Sequence, residues 1–122
     1  MNKISLNPVI IGEITYVEVR PTRLEGLEQT EYCFEIKTDT DLINEWVPIN
    51  KNENGENIIQ GTILDFYLQE VFKVFPETTN FVEHKEVFEF LKGKKVEFQR
   101  KPLGKQYLDI PPRKYYVPQK KL

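Results

Sequence analysis

Apolar and polar positions alternate along much of the first half of the chain. In EYCFEIKTD, residues 31–39, Tyr32, Phe34 and Ile36 fall on one side and Cys33, Glu35 and Lys37 on the other. That period of two is what a half-buried strand needs. Upstream, VIIGEITYVEVRP (residues 9–21) is rich in Ile, Val, Thr and Tyr and predicts a long strand. Gly12 within it suggests a bend or bulge, and Pro21, which has no N–H for a ladder, ends it. TRLEGLEQT is a polar loop between the two. EWVPIN (residues 45–50) predicts a short third strand, with Pro48 at an edge or a strand end. KNENGEN, with its Asn54-Gly55 pair, is a loop tip.

The period then lengthens. In TILDFYLQEVFKVFP, Leu64, Leu68, Val71 and Phe75 recur at helical spacing, Thr62 and Asp65 resemble a capping box, and Pro76 stops the run. The β-branched and aromatic content of this segment leaves a strand as the alternative. Residues 83–92 predict a helix with Val87, Phe88 and Leu91 inward and Gly93 just past its end. Period two returns in KKVEFQR, where Val96 and Phe98 share a face. Lys101-Pro102-Leu103-Gly104 suits a turn, and GKQYLDI (residues 104–110) would be the returning strand. PPRKYYVPQKKL follows as an extended tail or a partial extra strand. The prediction is a mainly β domain with one or two helices, ordered β-β-β-α-β-β, over residues 1–112, and a basic aromatic tail over 113–122.

Charge divides this domain. Residues 1–91 carry seven Lys/Arg and 17 Asp/Glu, whereas residues 92–122 carry ten Lys/Arg and two Asp/Glu. Either the two parts neutralise each other within one fold, or the basic end meets an anionic partner. The 122 residues fit one domain with a real core. A single cysteine and an N-terminal stretch too polar for a signal sequence suggest a cytoplasmic protein. No run of apolar residues is long enough to cross a membrane as a helix.

Catalytic chemistry finds little to work with. His84 is the only histidine, Cys33 the only cysteine and Ser5 the only serine, so neither a triad nor a thiolate–imidazole metal set can be assembled. Neither GxxxxGK[ST] nor GxGxxG occurs. Asp39 and Asp41 lack further ligands at motif spacing and read as a solvated loop. The expectation is a protein that is not an enzyme and needs no cofactor or metal.

What the sequence does hold is cations interleaved with rings. KKVEFQRKPLGKQYLDIPPRKYY (residues 94–116) carries seven Lys/Arg and four aromatic residues. Single-stranded nucleic acid uses that combination, phosphates meeting Lys and Arg while unpaired bases stack on rings. The predicted helices are acidic, with Asp65, Glu70, Glu83, Glu86 and Glu89, and would repel a phosphate backbone. A ligand of this kind would therefore lie on the sheet and the C-terminal hairpin.

The long bent first strand, the aromatic EYCFEIK, the helix leading into LKGKKVEFQR and the hairpin KPLGKQYLDI together resemble the small bacteriophage-type single-stranded-DNA-binding proteins over residues 8–112. The resemblance implies a five-stranded oligonucleotide-binding (OB) barrel with its ligand on strands two and three and their flanking loops. It implies base stacking at Tyr32, Phe34 and Trp46, and phosphate contacts at Arg20 and Arg23 in the first loop and at Arg100, Lys101 and Lys105 at the distal hairpin. Tyr107, Arg113, Lys114, Tyr115 and Tyr116 would extend the groove. For Phe34, Trp46, Tyr115 and Tyr116 a core position is the competing role. A part in phage DNA replication or recombination follows from the resemblance, with proteins of those processes and a second copy of the chain as further partners; RNA stays open beside DNA. Many cellular relatives end in an acidic, Phe-tipped recruitment tail, whereas this chain ends in VPQKKL, which leaves that role without its motif. The alternative is a non-enzymatic protein–protein interaction module, such as a phage accessory, structural or inhibitor protein.

Overall fold

A computed structural model describes residues 8–24, 27–51, 54, 57–58, 62–103 and 113–122, with backbone alone at 20–24, 27–30, 50–51 and 57–58. Six strands run in chain order: β1 Val9–Leu24, β2 Leu27–Lys37, β3 Leu42–Lys51, β4 Asn57–Ile58, β5 Lys95–Pro102 and β6 Lys114–Lys121. Two helices, α1 Ile63–Val74 and α2 His84–Leu91, flank a 3₁₀ turn at Pro76–Asn80. All strand pairs are antiparallel, in the order β4-β3-β2-β1-β5-β6. No helix among the described residues is long and apolar enough to cross a membrane.

The first strand serves two partners. Residues 13–24 of β1 pair with β2, and residues 9–13 pair with β5. Two local devices turn the strand between them. At Gly12 a Cβ would lie 2.7 Å from the Lys37 carbonyl oxygen and 2.9 Å from Ile36 Cγ2, so only glycine lets β1 pass the end of β2 this closely. Three residues later the register slips between Ile14 and Tyr16, which makes Thr15 the extra residue of a bulge. Of the bend or bulge expected at Gly12, the bulge is present, three residues further on at Thr15, and Gly12 itself marks the close approach to β2.

The alternation in β2 sorts the sheet into two faces. Phe34 lies between Val17 and Glu45, Ile36 between Ile14 and Ile43, and Tyr32 between Val19 and Val47. On the outer face, Cys33 lies between Glu18 and Trp46, and Glu35 between Tyr16 and Asn44. Both predicted helices form and cover the inner face. The Thr62 hydroxyl accepts from the Asp65 N–H at 3.3 Å, capping α1, whose Leu64, Tyr67, Leu68 and Val71 are buried. In α2, Val87, Phe88 and Leu91 are buried; Gly93 follows with φ +79° and its N–H bonds the Ile14 carbonyl at 2.8 Å. Phe88 stacks on Phe34 at 5.5 Å and packs at a tilt against Tyr32 at 4.9 Å between ring centroids.

At the C-terminal end the extra strand, and not the extended tail, is what forms. Residues 113–122 are not a tail outside a domain ending at 112. Lys114–Lys121 is strand β6, paired with β5, and Tyr115, Tyr116 and Val117 belong to the core. The physical reason is that α1 packs against this strand and gives its rings a place to bury. Pro118 is accommodated opposite Phe98, next to a register slip between Glu97 and Phe98. The return strand proposed for residues 104–110 lies outside the described residues. The sheet is barrel-like but not closed by a ladder: among the described residues β3 and β6 are joined by side chains.

Candidate nucleic-acid interface

The seam between β3 and β6 is built around Glu45. Ile43, Glu45, Val47 and Ile49 share the inward register of β3, so a carboxylate stands in an otherwise apolar row and is only 5% exposed. An ionised carboxylate in such a place needs partners, and it has them. Arg113 Nη2 lies 2.6 Å from Glu45 Oε1, the Tyr116 N–H donates to Oε2 at 3.0 Å, and the Trp46 N–H donates to Oε1 at 3.2 Å. Arg113 Nη1 also donates to the Trp46 carbonyl at 3.1 Å. Burial pushes the Glu45 carboxyl up. The Tyr116 amide, Arg113, the Trp46 amide and Arg100 pull it back in part, so it remains above the ordinary carboxylate value. The seam-facing N–H and C=O of Trp46 are thus satisfied by side chains instead of a neighbouring strand, which blunts an otherwise open edge. Pro48, expected at an edge or a strand end, lies on β3, which pairs with β2 along residues 42–49 and, among the described residues, with β4 at Asn50 and Lys51 alone.

Above this network lies an aromatic platform. The Arg113 guanidinium sits 4.1 Å from the Trp46 ring centroid and 4.3 Å from that of Tyr115. Trp46 is 40% exposed on the outer face; Tyr115 is buried. The platform offers one accessible indole, held from behind by a planar cation.

The expected site residues fall in different places. Trp46, Arg113 and Tyr115 meet at the platform, with Tyr116 and Arg100 tied to it through Glu45. Tyr32 and Phe34 point inward, and the rings of Tyr115 and Tyr116 are packed, so none of the four offers an open face for a base. Phe34, Tyr115 and Tyr116 take the core role that competed with stacking, and Tyr32, expected to stack, is also in the core, because α1 and α2 fill the space they face. Lys101 Nζ is 2.8 Å from Glu70 on α1, an acid partner from the acidic part of the chain. Lys114 is exposed at the start of β6. Arg20 and Arg23 lie on β1 opposite Glu31 and Glu28, with side chains outside the described residues, as are Lys105 and Tyr107 altogether.

Two residues were missed. Glu45 was legible as the one acid in the apolar register 43, 45, 47, 49. Tyr16 is half-exposed on the outer face, its hydroxyl 2.6 Å from Glu18 Oε2; the bulge at Thr15 shifts it out of simple alternation. Neither a protein-family profile nor a curated protein matches this chain.

Proposed function

We propose that the protein binds single-stranded DNA on the outer face of an OB-type barrel, with Trp46 as the stacking platform. The observation that carries this reading is the accessible Trp46 ring, midway along the edge strand and backed by Arg113. The connectivity supports it: three long antiparallel strands and the two-residue β4, then helices, then two strands, the first of which returns to pair with β1. Arg20 and Arg23 belong to the β1–β2 ladder that reaches Trp46 through Cys33, and the exposed Lys114 follows Arg113 at the start of β6.

A second reading has its own support. Cations of the basic end pair with acids of the acidic part, Lys101 with Glu70, Arg113 with Glu45, Lys92 with Glu89 and Lys121 with Glu77. The outer face also carries Glu18 and Glu35 on the β1–β2 ladder, and Val9 and Ile11 are exposed where β1 pairs with β5. Both features favour a protein-interaction module with internally balanced charge.

Titration with oligo-dT at two salt concentrations, followed by the fluorescence of the only tryptophan, separates the two readings; oligo-U in parallel tests RNA. Salt-sensitive quenching is expected. Trp46→Ala, which lacks that reporter and is followed by the anisotropy of a labelled oligo-dT, should bind more weakly by about 1–3 kcal/mol, the usual worth of one stacked base, while a cooperative melt persists. Undiminished affinity in that variant would sink the platform.

A further inference from the structure

Arg113 is the cation against Trp46, and a phosphate contact is the obvious role for it. Its surroundings argue for a different one. The guanidinium is held on three sides, by Glu45 at 2.6 Å, by the Trp46 carbonyl at 3.1 Å, and between the Trp46 and Tyr115 rings. Its acid partner is 5% exposed and lies where water cannot replace the lost ion pair. A phosphate that drew Arg113 away would leave a buried carboxylate with two backbone donors but without its ion-pair partner, and that costs more than a solvated cation–phosphate contact returns. Arg113 also fixes the ring plane: one nitrogen bonds the backbone of Trp46 itself, so ring and guanidinium cannot slide independently.

Taking the DNA-binding reading above as its basis, we propose that Arg113 is a positioning residue that holds the Trp46 ring for stacking, its charge committed to Glu45 and not spent on phosphate. The phosphate contacts then fall to cations outside this network. Glu45 becomes the residue that decides which of these two roles Arg113 plays.

Counterion release distinguishes the roles, because each phosphate neutralised on a single strand adds about 0.7 to the log–log salt slope. With oligo-dT, Arg113→Gln should weaken binding at every salt concentration and leave the slope of the wild type. Glu45→Gln, which frees the guanidinium, should steepen the slope by about 0.7. In the free protein both variants should raise acrylamide quenching of Trp46, since the ring loses its fixed backing. The double variant Glu45→Gln/Arg113→Gln keeps a neutral hydrogen-bonding pair and serves if a single variant does not fold; it too should keep the wild-type slope and raise quenching. A slope flattened by about 0.7 in Arg113→Gln would make Arg113 a phosphate contact and overturn the assignment. If the wild type binds no oligo-dT, the DNA-binding reading falls and the quenching experiment alone judges the inference: raised quenching upholds Arg113 as the residue that positions Trp46, and unchanged quenching in all variants overturns it.

Discussion

At the β3–β6 seam Glu45 meets Arg113 with its carboxylate 5% exposed; between α1 and β5, Glu70 meets Lys101 at 2.8 Å with side chains 21% and 32% exposed. Each joins an acid of the first 91 residues to a cation of the last 31. Burial nevertheless gives them opposite character. At Glu45 desolvation wins, and the carboxyl is held above its ordinary value despite the guanidinium. At Glu70 burial also pushes up, but Lys101 and Lys73 together outweigh it and hold the carboxyl below that value. The seam pair costs desolvation and returns connection between two strand edges that lack a backbone ladder. The α1–β5 pair lies closer to water and does little structural work. The same two residue types therefore serve as a joint in one place and as charge balance in the other.

The most severe way to break the comparison is to remove one side of the seam altogether. Ending the chain at Ile110 deletes β6, with Tyr115, Tyr116 and Val117 from the core and the acceptor of the 2.7 Å bond from the Tyr67 hydroxyl. Loss of the cooperative thermal transition is expected, with loss of near-ultraviolet circular dichroism. A truncated chain that still melts cooperatively would restore the tail to a dispensable role. Next in size is Arg113→Ala, which strands a buried carboxylate and should cost about 3–5 kcal/mol in a denaturant titration. Its counterpart Lys101→Ala should cost no more than about 1 kcal/mol in the same titration. Equal losses in the two variants would mean that burial does not separate the pairs.

The smallest effect is the most diagnostic. A group whose folded pKa is raised stabilises the fold below its unfolded value and loses that contribution as pH rises through the folded one; for a depressed pKa the contribution is present above the unfolded value and lost as pH falls through the folded one. Glu45 should therefore reduce stability as pH climbs above the ordinary carboxylate value of 4.5, and Glu70 should reduce it as pH drops below 4.5. Stability measured against pH for Glu45→Gln should lose the first slope, and Glu70→Gln the second. Two variants with superimposable pH profiles would contradict the opposite shifts.

What the sequence determined by itself is the local framework. Alternation assigned the inward face of EYCFEIK, helical spacing and the Thr62 cap assigned α1, and Gly93 marked the end of α2, because each signal acts over a few neighbouring residues and reaches the structure unaltered. The tertiary structure decided everything that depends on which distant surfaces meet. It turned a basic, aromatic C-terminus into a core strand, since Tyr115 and Tyr116 gain a buried site only once α1 lies across β6. It left Trp46 as an accessible ring among those expected to stack, since the other rings face the helices. It also gave Lys101 and Arg113 acid partners 31 and 68 positions away. The physical reason is that charge pairing and ring burial are set by distances in space, and a one-dimensional pattern records a residue's own face but not what the fold brings against it.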